Sequence, residues 1–140
     1  RTKHSHTLLM FRLLAFVSIF LFSFSLQNDG LKRHVVRTHP NGKPYVVVYT
    51  LGDSNERVKE ELYYENGKLD YVGTYKNGVE HGDWIYYWPN GKMKSFEHYE
   101  RGLEEGIAYD CDENGQKTIE YHYRKGVLLR KVDLVAHPKN

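Results

Sequence analysis

Only one cysteine, Cys111, and four prolines stand among the 140 residues. A lone cysteine rules out an intrachain disulfide, so the fold must rest on packing and hydrogen bonds. Serine is scarce as well: past residue 25 only Ser54 and Ser95 remain, and neither stands in the glycine-bracketed elbow that exposes a nucleophilic hydroxyl. Beyond the N-terminal apolar segment no stretch repeats apolar residues at the helical spacing, which excludes a helical domain. Strong charge of one sign is missing too. Arg1, Lys3 and Arg12 precede the segment expected to be removed, leaving 17 basic against 18 acidic residues. Without a basic footprint the nucleic-acid binders are set aside.

What is present begins with a targeting pattern. Leu13 to Leu26 is a run of 14 residues without a charge, behind Arg12 and ahead of a polar stretch. It is shorter than the roughly 20 residues of a membrane-spanning helix, and it has the layout of a signal peptide. Ser23 and Ser25 are small residues suited to a cleavage site, so a helical signal peptide over 1–27 and a mature chain beginning near Leu26 to Asn28 are expected. Arg1 to Leu9 reads as an extension upstream of Met10. The mature product is then periplasmic or secreted, and a membrane-anchored form is the weaker reading.

The mature region repeats itself. Asn66-Gly67, Asn90-Gly91 and Asn114-Gly115 recur every 24 residues, with Asn41-Gly42 ahead of them, and Gly78, Gly102 and Gly126 keep the same step. A fixed period in several residue types marks a repeat architecture. Asn-Gly between runs of Tyr, Val and Ile is a hairpin signal, since a type I′ turn needs positive φ at both central residues. The expected fold is all-β: an elongated, single-sheet antiparallel meander of β-hairpins. Its units are a degenerate one at about 31–55, repeats at about 56–79, 80–103 and 104–127, and a closing strand at about 127–135. Two-residue turns at Asn66-Gly67, Asn90-Gly91 and Asn114-Gly115 would pair Trp88 with Met93, Tyr86 with Ser95 and Trp84 with Glu97.

That register collects aromatic side chains on one face. Twelve tyrosines and two tryptophans are present, and Tyr64, Tyr71, Trp84, Tyr86, Trp88, Tyr99, Tyr121 and Tyr123 are the candidate binding residues. The other face mixes Ile85, Tyr87, Phe96, Tyr109 and Cys111 with charges and with His98 and His122. Cys111 takes the phase of Tyr63 and Tyr87, so it reads as a small packed hydrophobe. His122 falls opposite Ile107, over 10 Å from Cys111 at ~3.3 Å per residue, too far to activate a thiol. His98 and His122 lack a third ligand of matching phase. No catalytic residue, metal or cofactor is assigned, and no enzymatic activity is expected.

The stretch Gly82-Asp-Trp-Ile-Tyr-Tyr-Trp-Pro-Asn-Gly-Lys-Met93, with Tyr99 and a second glycine turn behind it, resembles the MORN-variant repeat of YwqK-type antitoxin proteins. Tyr63-Tyr64-Glu-Asn-Gly-Lys68 with Tyr75-Lys-Asn-Gly78 matches it again, and Gly106 to Gly126 more loosely. The resemblance implies a hairpin array engaged in protein–protein interaction. A secreted interaction module working through its aromatic face is the expected function. A glycan- or choline-binding envelope repeat is the first alternative, and an antitoxin-like, toxin-neutralising protein the second. A homodimer through a sheet edge also stays open.

Overall fold

The computed structural model describes residues 30–135. The apolar segment and the cleavage expected after it lie outside the described residues. Eleven strands run in chain order: β1 (Leu31–Thr38), β2 (Pro44–Leu51), β3 (Arg57–Tyr63), β4 (Leu69–Lys76), β5 (Val79–Glu80), β6 (Gly82–Tyr87), β7 (Met93–Glu100), β8 (Leu103–Glu104), β9 (Gly106–Cys111), β10 (Lys117–Arg124) and β11 (Val127–Asp133). They form one open antiparallel sheet in the order β1-β2-β3-β4-β6-β7-β9-β10-β11, with the short β5 and β8 pairing β4 and β7. No helix occurs among the described residues. The expected all-β meander is the observed one, because alternating Tyr, Val and Ile fit a pleated surface and each turn returns the chain beside itself.

The turns divide the work differently from the expectation. Asn66, Asn90 and Asn114 do not take positive φ; only the following glycines do. Each Asn-Gly pair belongs to a longer loop, in which the Gly91 N–H donates to Trp88 O (2.7 Å) and the Trp88 N–H donates to Lys92 O (2.8 Å). Residues 64–68 and 112–116 close in the same way. This is the three-residue hairpin, a type I turn followed by a left-handed glycine. The two-residue turns with positive φ at both positions are Asn77-Gly78, Arg101-Gly102 and Lys125-Gly126. The register expected around Asn90-Gly91 is therefore wrong at its end: Met93 pairs with Tyr87, not Trp88. An irregularity at Lys94 absorbs the extra residue, so Tyr86↔Ser95 and Trp84↔Glu97 hold as expected.

The reason lies in what the asparagine side chains do. Asn90 Oδ1 accepts from the Lys92 N–H (2.8 Å) while its Nδ2 donates to Glu113 O in the next loop (2.8 Å). Asn66 makes the same pair of bonds to Lys68 N and Pro89 O, and Asn41 to Lys43 N and Glu65 O. The residue that opens each loop adds a rung. His39 Nε2 bonds Tyr63 O (2.7 Å), the Tyr64 hydroxyl donates to Tyr87 O (2.7 Å), and Trp88 Nε1 donates to Cys111 O (3.2 Å). Hairpins are thus joined along the loop edge by side chains to main chain, which fixes neighbouring repeats in a nearest-neighbour array.

Burial in a single layer is shared between both faces. Val46, Trp84 and Ala108 are buried on one face, and Val47 and Cys111 on the other. The outermost strands carry exposed apolar side chains such as Val36 and Leu129. They also carry basic ones, Lys32, Arg33 and Arg37 on β1 and Arg130 and Lys131 on β11. Basic side chains on both edges oppose pairing between two copies of this sheet.

Candidate functional site: a tyrosine face

Trp84 organises the aromatic face. Its ring stacks on Tyr71 (centroids 5.6 Å, planes 18° apart), meets Tyr75 and Tyr99 edge-on at 5.2 and 5.8 Å, and Nε1 donates to Thr74 O at 3.2 Å. Tyr86 joins through Tyr71 at 5.5 Å. The indole can lie so low because Gly73 is beneath it: a Cβ there would stand 2.5 Å from Cε2 and 2.7 Å from Cε3. Trp84 is consequently 7% exposed. Its expected place as an open binding residue is corrected: it is the core on which the neighbouring tyrosines lean. Tyr64 and Trp88 stand apart from this cluster at the loop edge, their polar atoms engaged by the carbonyls described above. Tyr71, Tyr86, Tyr99, Tyr121 and Tyr123 are half-buried, with the last two rings 6.2 Å apart.

Carboxylates the sequence reading did not single out are interleaved with these rings. Glu60 accepts from the Tyr71 hydroxyl and pairs with Arg57 Nη1 at 2.7 Å. The Arg57 guanidinium lies over Tyr75 at 3.8 Å. The Tyr99 hydroxyl donates to Glu97 Oε2 (2.9 Å), and the Tyr121 hydroxyl to Asp110 Oδ2 (2.8 Å). That bond to Asp110, with burial, pushes the Tyr121 phenol up to about 12, and burial followed by the Glu97 charge does the same for Tyr86. All five half-buried tyrosines therefore stay protonated at neutral pH.

Glu97 is the carboxylate under most strain. Burial raises its pKa from the ordinary 4.5, the Tyr99 hydroxyl opposes this, and Glu104 and Asp110 push it further up. Between 4.5 and the raised folded value the folded chain holds a proton that the unfolded chain has released, so stability falls as pH rises through that window. Glu97→Gln should therefore stabilise the fold at neutral pH and have no such effect below about pH 4.5. Urea unfolding at both conditions measures it. A wild type that remains the more stable protein at neutral pH would show that this carboxylate carries no penalty. Glu61 on the opposite face behaves otherwise. Burial would raise it, but Lys59 at 2.6 Å and the Tyr63 and Tyr49 hydroxyls at 2.6 and 2.7 Å outweigh that, and its net shift is downward.

Between Glu97, Glu104, Ala108, Asp110, Tyr121 and Tyr123 lies a cavity of about 220 Å³. The remaining candidates resolve into structure. Cys111 is 6% exposed and burial pushes its thiol up, which makes it a poor nucleophile. His122 pairs with Ile107 across the strands, as expected. His98 Nδ1 meets Asp83 at 2.6 Å and His122 Nε2 meets Glu120 at 2.7 Å. Among the described residues no three His, Cys, Asp or Glu side chains are grouped to hold a metal ion.

Among solved structures, a chain of the Glycosylation Associate Protein (Gap123) complex from Streptococcus agalactiae is 16% identical, with a TM-score of 0.44 over 70% of this chain. A chain of the accessory secretory protein 1, 2 and 3 structure from Streptococcus pneumoniae is 12% identical, with the same TM-score and coverage. The present chain spans 18% of the length of each. No curated protein matches the sequence. The family model described as MORN repeat variant matches residues 58–77 and 80–101. Those residues are β3–β4 and β5–β7, so two consecutive units of the hairpin array match the MORN repeat variant.

Proposed function

We propose that this chain is an exported, non-catalytic module that binds another protein through the tyrosine face of its sheet. Repeats of this family are in general interaction modules, which supports the class of function. The observation that carries the choice of face is the row of half-buried rings, Tyr71, Tyr86, Tyr99, Tyr121 and Tyr123. It lies on a one-layer sheet over which no described element packs. Tyrosine suits such a surface, offering large rigid contact area and a polar tip at low entropic cost. Export rests on the apolar segment ahead of the repeats, and places the partner outside the cytoplasm.

The test uses the mature chain recovered from the extracytoplasmic fraction, where N-terminal sequencing should find a start near Leu26 to Asn28. As bait for envelope proteins, Tyr86→Ser and Tyr121→Ser should each weaken capture on the order of tenfold or more, the effect of removing an interface anchor. Ile85→Ala, on the opposite face, should leave capture intact. Equal capture by all three variants, or binding to isolated envelope glycan in place of protein, would refute the reading.

A further inference from the structure

Charge is not spread evenly along the array. Residues 30–52, the first hairpin, carry Lys32, Arg33, Arg37 and Lys43 and not one Asp or Glu. Over residues 53–135 the balance reverses, with 17 Asp and Glu against 12 Lys and Arg. The near-neutral total therefore hides a basic hairpin at one end of an acidic sheet. Asp53, just past the hairpin, pairs with Lys32. Among the described residues neither Arg33 nor Arg37 has a carboxylate partner. The Arg37 guanidinium stands over the Tyr45 ring at 5.0 Å, a neighbour without charge of its own.

The same hairpin ends the sheet. β1 is the outermost strand among the described residues, and all eight of its residues are exposed. Leu31 to Val35 pair with Leu51 to Val47 without a break, and the first irregularity comes after Val35. An antiparallel strand turns alternate N–H and C=O groups to either side. Those five residues therefore hold a regular row of outward donors and acceptors, the template an added strand needs. The strand behind them is firmly seated, with Val47 0% and Val46 7% exposed. At the far edge β11 is a poorer template: Leu129 is left out of its pairing, and Asp133 follows Arg130 and Lys131 on the same strand.

We infer that β1 is a docking edge for an acidic, extended segment of a partner protein, which adds to the sheet beside Leu31–Val35. The main-chain row selects a polypeptide, whose own N–H and C=O groups alternate to match it. Arg33 and Arg37 select the charge, since opposite charges on adjacent strands stabilise their pairing and like charges oppose it. The cations that turn away a second copy of this edge thus favour an acidic strand. This interface is separate from the tyrosine face, and neither requires the other.

The probe is a short blocked peptide of glutamate, valine and threonine, titrated into the full chain while the β1 amides are followed by NMR and hydrogen exchange. One control peptide has glutamine in place of glutamate. A second keeps the glutamates but is N-methylated at every amide, so that it has charge without donors. The acidic peptide should bind saturably, and alternate amides of Leu31–Val35 should gain protection from exchange. Each control should bind on the order of tenfold more weakly. Arg33→Glu with Arg37→Glu should abolish binding of the acidic peptide and confer binding of a lysine counterpart. Should that variant not fold, Arg37→Glu alone should weaken the acidic peptide on the order of fivefold, the effect of an exposed ion pair. No saturable binding, equal binding of the glutamine peptide, or protection gained away from β1 would each overturn the inference. So would equal binding of the N-methylated peptide, which would mean that any polyanion is accepted. Tyr86→Ser and Tyr121→Ser should leave this binding intact, which separates its failure from that of the tyrosine face.

Discussion

Trp84→Ala should cost the fold about 3–5 kcal/mol, the range for truncating a buried aromatic in a core that does not collapse around the void. The ring is 7% exposed and touches Tyr71, Tyr75 and Tyr99. Removing it frees three phenols to water and leaves Thr74 O without the indole donor. A sheet with one layer has no second set of side chains to move into the space, so the loss should lie in the upper part of that range. Urea unfolding followed by circular dichroism measures it. A loss below about 1 kcal/mol, the size of an ordinary surface substitution, would mean that the ring is not part of the core.

Gly73→Ala should be nearly as damaging although it adds one methyl group. The new Cβ would stand 2.5 Å from Cε2 and 2.7 Å from Cε3 of the Trp84 ring, separations no van der Waals contact tolerates. The ring cannot step aside, because Tyr71 and Tyr99 bracket it. Overpacking of this kind costs about 1–3 kcal/mol and occasionally more, and a clash with a rigid indole belongs at or above the top of that range. Gly73 does not have positive φ, so the penalty is steric and not conformational. That distinction has its own signature. With Trp84 already replaced by alanine, Gly73→Ala should become neutral or mildly stabilising, since glycine in a strand interior is itself unfavourable. The two substitutions should therefore be coupled by more than about 1 kcal/mol. Additive effects would show that Gly73 and Trp84 do not meet.

The pair Gly73–Trp84 also marks where sequence reasoning stopped. The pairings Tyr86↔Ser95, Trp84↔Glu97 and His122↔Ile107 were legible because side-chain alternation and turn position are local properties. The tyrosines could be assigned to a face, but not ranked by burial. Trp84 is covered by residues on β4 and β7, and how low it lies depends on a glycine one strand away in the preceding hairpin. The signal for an exchange of sizes between the two units was present as Ala108 at the phase of Trp84 and Glu97 at the phase of Gly73. It has meaning only once β7 and β10 stand on either side of β9 and cover Ala108 to 4% exposure.

Turn geometry divides in the same way. The 24-residue period, the antiparallel hairpin array and the alternation of faces follow from the order of residues alone, since each rests on interactions within one hairpin. The placement of the Asn66 and Asn90 side chains does not. Asn66 and Asn90 are held by bonds to loops some 23 residues further on, and those contacts exist only after neighbouring repeats have packed. The sequence by itself determined which strands form and in what order they pair. Only the tertiary structure decided which aromatic is core and which turns are left-handed at both positions, because each depends on atoms brought together from different repeats.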